Sequence, residues 1–275
     1  MTTHRLLART LAALCLGATL AACGARSTLE GQTGPSGAGA DGTSTGPRCG
    51  DAALKAYLCD ENKTLYAFDP ATLATTPIGH VSCPTDTIPW TMTVDGAGSA
   101  YLIYDDWSIY RVDLGTLACT KTPYAPGQLG FTGQEGIAVA AVDGVDRFFV
   151  YGSNPTPTLA VSDLTSFVLS SVGPATAPAG AFPVAVQGDA FGHLYAFSQD
   201  SLFFELDSAT ADVTHVNHTS LQGGGTWAVM AYGDRIYLFG AGGTVARYDP
   251  SAQQLTPLGS VGFSVIGASA TPCVP

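Results

Sequence analysis

The stretch 100–113, AYLIYDDWSIYRVD, decides the fold. It is an apolar strand, a short polar turn at Asp105-Asp106, a second strand of alternating character, and a closing aspartate that opens the next turn. Four other segments repeat the pattern: 56–69 (AYLCDENKTLYAFD), 147–163 (RFFVYGSNPTPTLAVSD), 193–207 (HLYAFSQDSLFFELD) and 235–249 (RIYLFGAGGTVARYD). The aligned aspartates are Asp69, Asp113, Asp163, Asp207 and Asp249, separated by 44, 50, 44 and 42 residues. The long spacing is assigned to a loop insertion, the Pro- and Ala-rich stretch 173–181.

A strand precedes each of the last four units, and a strand follows every unit. Preceding ones read 90–95 (WTMTVD), 136–143 (GIAVAAVD), 182–187 (FPVAVQ) and 226–233 (TWAVMAYG). Following ones include 72–79 (TLATTPIG) and 254–259 (QLTPLG). Asp95-Gly96 and Asp143-Gly144 suit tight hairpins, and Asp-Pro at 69–70 and 249–250 suits turn initiation. Four antiparallel strands at about 45 residues per unit is the period of a β-propeller blade. The first unit lacks its leading strand, while an extra strand, 262–269, follows the last. Pairing the two removes an exposed sheet edge. The expectation is an all-β, five-bladed β-propeller closed by the C-terminal strand, after a signal peptide and a disordered tether.

Outward from the repeats, the amino end reads as an export signal. His4, Arg5 and Arg9 precede an uncharged apolar core, Leu11 to Leu20, too short to span a bilayer. Leu20-Ala21-Ala22-Cys23 resembles the lipobox of bacterial lipoproteins, which implies cleavage before Cys23 and its acylation. Residues 24–48 are nearly all Gly, Ser, Thr, Ala, Pro and Gln, a composition that buries too little to fold. As a coil they span roughly 27 Å. The domain plan is a signal peptide at 1–22, a lipidated Cys and tether at 23–48, and a propeller at 49–275. An enterobacterial inner-membrane retention aspartate is not at position 24, so family analogy points to the outer membrane.

Removing Arg5 and Arg9 with the signal takes the formal charge from −11 to −13. That argues against nucleic acid and anionic membrane surfaces as partners. Exported cysteines are expected as disulfides: Cys49 with Cys273 across the two ends, and Cys83 with Cys119 in consecutive repeats, leaving Cys59 as a buried small hydrophobe. No spacing fits a zinc site.

The segment Leu65-Tyr66-x-Phe68-Asp69-Pro70-x-Thr72 resembles the degenerate blades of YncE-like and quinoprotein-like propellers. The Trp-Asp dipeptide of WD40 repeats, the double glycine of kelch repeats and the Trp-ending quinoprotein motif are missing, so a bound quinone is not implied. Taken whole, with its ending GASATPCVP (267–275), the chain resembles bacterial propeller lipoproteins, a likeness that implies no activity and no site residues.

The aligned aspartates are read as turn caps. Tyr66, Tyr110, Phe204 and Tyr248 are read as inter-blade core. The better candidate surface is the face shared by the turns between second and third strands and the links between blades. It would carry Asp60, Glu61, Asp86, Asp105, Asp106, Glu135 and Asp200, with Lys63 and Lys121 as its few cations. Such acidic loops suit Ca²⁺, which takes six to eight oxygens, or a cationic partner. Trp107 at its hairpin tip is the expected exposed anchor, and Trp90, Trp227, Phe182 and Phe263 start inner strands near the channel mouth. His215 and His218 are expected on opposite faces of an outer strand, and His80 and His193 stand alone. No catalytic motif stands out. Three functions stay open: a non-catalytic module binding an envelope protein or glycan, an accessory subunit of an envelope assembly, or an enzyme acting on a sugar or lactone.

Overall fold

The structure is a computed structural model that describes residues 56–133, 136–152, 156–176, 184–198, 200–221 and 227–272. The signal and tether, Cys23, Cys49, Cys273, Glu135 and Phe182 lie outside the described residues.

Strands β1 (Ala56–Asp60), β2 (Thr64–Asp69) and β3 (Ala74–His80) make most of the first blade. The second holds β4 (Pro89–Val94), β5 (Ser99–Tyr104), β6 (Ile109–Asp113) and β7 (Cys119–Lys121). The third holds β8 (Gly136–Val142), β9 (Val145–Gly152), β10 (Thr158–Ser162) and β11 (Ser170–Pro174). The fourth holds β12 (Val184–Gly188), β13 (His193–Ser198), β14 (Leu202–Asp207) and β15 (Val213–His218). The fifth holds β16 (Ala228–Tyr232), β17 (Arg235–Gly240), β18 (Thr244–Asp249) and β19 (Gln254–Ser260). A last strand, β20 (Val265–Ala270), returns to the first blade, giving the order β20-β1-β2-β3. Leu58 faces Ala268 and Cys59 faces Gly267, so the expected closure is present and the sheets number five.

Inner strands meet in a cycle: β20 packs on β4, β4 on β8, β8 on β12, β12 on β16, and β16 on β20. Two side-chain hydroxyls stitch neighbours together: Val94 N donates to Ser269 Oγ (3.0 Å) and Val139 N to Thr93 Oγ1 (2.8 Å). The approach demands glycine at two places. A Cβ on Gly267 would lie 2.6 Å from Met92 Cβ, and one on Gly188 would lie 2.4 Å from the Val139 carbonyl.

The core is five apolar layers, one between each pair of consecutive blades, including one joining the fifth blade to the first. Alternate residues of every middle strand serve alternate layers, because side-chain direction has period two. Tyr110, Phe204 and Tyr248 are buried in these layers as expected, while Tyr66 is half-buried and stacks on Phe263 at 4.4 Å between ring centroids.

Each aligned aspartate caps its own turn. In Asp113 Oδ1 accepts from the amides of Gly115 and Thr116, in Asp163 from Thr165 and Ser166, and in Asp207 from Ala209 and Thr210. Asp69 and Asp249 do the same with Ala71, and with Ser251 and Ala252. Four residues beyond each aspartate the backbone turns left-handed: Leu73, Leu117, Phe167, Ala211 and Gln253 have φ of 58°, 58°, 52°, 65° and 51°.

Cys83, in the link after the first blade, is bonded to Cys119 on β7. Cys59 is the free, buried cysteine among the described residues, and burial beside Asp60 pushes its thiol up to about 12.

One expectation about the strands needs correction. Residues 173–174 of the presumed insertion are the end of β11, and the long spacing arises between β7 and β8, whose link runs from 122 to 135. There Gln128 Nε2 donates to Phe167 O (3.0 Å) and its Oε1 accepts from Leu169 N (2.9 Å), binding the extra residues to the third blade. In β15 the register slips between its pairings with Phe203 and Glu205, and His215 has φ 50°. His215 Nδ1 pairs with Glu205 Oε2 at 2.9 Å.

Candidate functional site

Each link that follows an outer strand is tied to the turn between the second and third strands of its own blade. Val81 N donates to Lys63 O, Thr122 N to Ile109 O, Ala175 N to Pro157 O, Thr219 N to Ser201 O and Val261 N to Gly243 O. Links and turns therefore share one face of the ring, and this face carries the candidate residues.

At its centre stands Trp90. In β4 the pairing passes from Pro89↔Tyr104 to Thr91↔Ile103, so Trp90 is the extra residue of a β-bulge. A bulge bends its strand and re-aims a side chain. Here it sends the indole to Trp227, which precedes β16 three blades further on; the rings meet edge to face with centroids 5.7 Å apart. Trp90 touches both the layer between the second and third blades and the layer between the fourth and fifth. Trp227 is 9% exposed and Trp90 half-buried, so the pair bridges the mouth and leaves one indole partly in solvent. Beside it Ile88 is 55% exposed, its carbonyl held by Asp105 N at 3.0 Å.

The predicted acidic residues divide into two groups. Glu61, Asp86, Asp105 and Asp200 are exposed. Asp60, expected on the rim, is instead buried at 4% exposure: Oδ1 accepts from Thr64 N (2.7 Å) and Oδ2 from Tyr66 Oη (3.0 Å). Burial and this carboxylate raise the Tyr66 phenol. Asp106 is exposed, but its Oδ1 takes the amide and hydroxyl of Ser108. Burial pushes its carboxyl up, yet the Ser108 hydrogen bonds and Lys121 outweigh that and hold it below the usual range. Lys63 reaches Thr87 O at 2.9 Å, fixing the first link.

Trp107 departs from the exposed anchor expected of it. It is half-buried, packed on the layer between second and third blades, with Gly133 backed against its ring. Its backbone is left-handed, φ 61°, a conformation that costs about 1–2 kcal/mol outside glycine. Ring packing offsets that cost. The turn thus holds Trp107, Asp105 and Asp106 together, while Trp90 and Trp227 form a separate aromatic centre nearer the axis.

Chemically, this face can stack, hydrogen-bond and attract cations. The inner strands PWTMTV, GIAVAAV, VAVQG, AVMAY and VIGASA carry no carboxylate, histidine, cysteine or lysine. Among the described residues no three His, Cys, Asp or Glu side chains gather as a metal site. No helix among the described residues is long and apolar enough to cross a membrane. Sequence reasoning missed the bulge that aims Trp90, for which a Pro-Trp at a strand start is the one available signal.

No protein-family profile matches the chain, and no curated protein matches it in sequence. Solved structures do. A nidogen–laminin complex aligns at 13% identity and TM-score 0.50 over 79% of this chain and 98% of that one. Apo AztD from Citrobacter koseri aligns at 12% and 0.40, over 75% and 59% of the respective chains. YjhT aligns at 14% and 0.46, over 67% and 69%. At such identities the likeness speaks for the fold alone.

Proposed function

We propose that this chain is a non-catalytic binding module of the bacterial envelope, held to the membrane by an acylated Cys23 and presenting its link-and-turn face to an envelope glycan or protein. The observation that carries the reading is the Trp90–Trp227 pair at the ring mouth, one indole partly in solvent beside the exposed Ile88, on a face that also carries the exposed carboxylates of Glu61, Asp86, Asp105 and Asp200. A rigid aromatic centre with a polar margin is the arrangement in which binding energy concentrates. Apart from the Tyr232 phenol at the end of β16 on the opposite face, the inner strands carry no carboxylate, histidine, cysteine or lysine to move a proton, which favours binding over catalysis through the channel.

Cross-linking of the full chain on intact cells, followed by mass spectrometry and carbohydrate analysis, tests it. The parent should retain a defined protein or glycan, and Trp90→Ala, checked to be folded by circular dichroism, should lose it. Equal capture by parent and variant, or turnover of the captured molecule, contradicts the reading.

A further inference from the structure

The opposite face, where the aligned aspartate turns lie, holds a cleft of about 600 Å³ between the fifth and first blades. Two of the six described Lys and Arg residues, Arg235 and Arg247, line it together, and Arg111 lines a second cleft, between the second and third blades. In a chain of formal charge −11 that concentration needs a cause.

The two blades differ at one telling position. In the second blade Tyr101 pairs with Arg111, and Ser99 stands two residues before Tyr101. Arg111 Nε donates to Ser99 Oγ at 2.9 Å. In the fifth blade Tyr237 pairs with Arg247, and the place of that serine is taken by Arg235. A second guanidinium thus replaces the acceptor, diagonally across the strand pair and about 7–8 Å away, where like charges repel. Arg247 is half-buried, and its guanidinium makes no hydrogen bond or ion pair with the described residues.

Nearby carboxylates are already engaged. Asp69 gives Oδ1 to Ala71 N (2.9 Å) and Oδ2 to Thr72 Oγ1 (2.7 Å). Asp249 Oδ1 takes the Ser251 amide and hydroxyl and the Ala252 amide. Asp234 holds Arg235 Nε at 3.2 Å in open solvent. Burial raises the Tyr237 phenol while Arg247 and Arg235 pull it down, so both cations act on the same spot.

We infer that this cleft binds an acidic sugar, its carboxylate held by Arg247 and Arg235 and its ring laid against Tyr232. A planar guanidinium matches a carboxylate through two parallel hydrogen bonds. Tyr232 is 38% exposed at the cleft edge and offers a flat amphipathic surface. The volume lies within the range of small-ligand sites, about 300–1,000 Å³. The site is on the face away from Trp90, so it adds to the module rather than restating it.

Calorimetric titration of the full chain with glucuronate, glucose and sulfate tests the assignment, glucose being the same ring without the charge. Glucuronate should bind saturably and at least about tenfold more tightly than either control, from one charge-assisted pair. Arg247→Gln and Arg235→Ser should each weaken it about tenfold, with thermal midpoints unchanged, and Trp90→Ala should leave it intact. Glucose binding as well as glucuronate, no binding at all, or an unaffected Arg247→Gln variant overturns the proposal. Sulfate binding as tightly as glucuronate overturns the assignment to a sugar.

Discussion

Trp90 and Trp227 lie edge to face, 5.7 Å between centroids, although they belong to the second and fifth blades, which are not neighbours in the ring. The contact crosses the axis and couples parts of the molecule that no sheet connects. Trp90→Ala should therefore destabilise by about 2 kcal/mol, below the full cost of a buried tryptophan because the ring is half exposed. Trp227→Ala, at a buried position, should cost about 3–5 kcal/mol. Chemical denaturation of both variants checks the order; equal losses, or a larger loss at Trp90, would mean that burial of each ring does not set its cost.

The aspartate turns make a prediction about acid. Hydrogen bonds from the Ser166 hydroxyl and amide and from Thr165 hold the Asp163 carboxyl down to about 2 in the folded chain, and Asp69, Asp113, Asp207 and Asp249 are lowered by the same kind of contact. A depressed folded value means that the ionised form stabilises the fold above the unfolded carboxyl value, near 4, and that this is lost as pH falls through about 2. Asp163→Ala should lower the melting temperature at neutral pH, and its deficit should shrink from about pH 4 to about pH 2. Melting curves across that range test it; a deficit independent of pH would assign the loss to packing instead.

The left-handed positions that follow those aspartates respond in opposite ways to glycine. Gln253 has φ 51° and an exposed side chain, so Gln253→Gly should stabilise by about 1 kcal/mol through relief of backbone strain. Leu117 has φ 58° but packs against the layer between first and second blades, so Leu117→Gly should destabilise by about 1–2 kcal/mol after the same relief. Urea unfolding of both settles the sign.

The Cys83–Cys119 bond closes 36 residues of sequence and ties the first blade to the second. In the chain-entropy view a loop of that size adds about 3–4 kcal/mol. Cys83→Ser with Cys119→Ser should lower stability by that amount, while Cys59, fully buried, should resist alkylation in the native protein. Thiol labelling with and without denaturant reads both effects.

How far the sequence carried is visible in particular residues. The aspartates at a near-constant interval and the orphan strand near the end were legible, because turn chemistry and strand pairing act locally or by simple count. From sequence Trp107 reads as exposed because a hairpin tip offers nothing of its own to pack on; Gly133, from the link to the third blade, supplies the surface. Asp60 looked like a rim carboxylate because its partners, Thr64 N and Tyr66 Oη, become neighbours only once the hairpin forms. The slip in β15 and the aim of Trp90 come from bulges, one extra residue each, which alternation cannot reveal. Arg111 and Arg247, each two residues before its aligned aspartate, were a readable repeat signal that points to the clefts.

Hydrogen exchange resolved to single amides probes ring closure most directly. If β20 is an integral strand of the first sheet, amides of Val265–Ala270 hydrogen-bonded to β1 should exchange only with global unfolding, at the same free energy as their partners in Ala56–Asp60. Amides in 265–270 exchanging orders of magnitude faster than those in 56–60 would show that the ring is not sealed there.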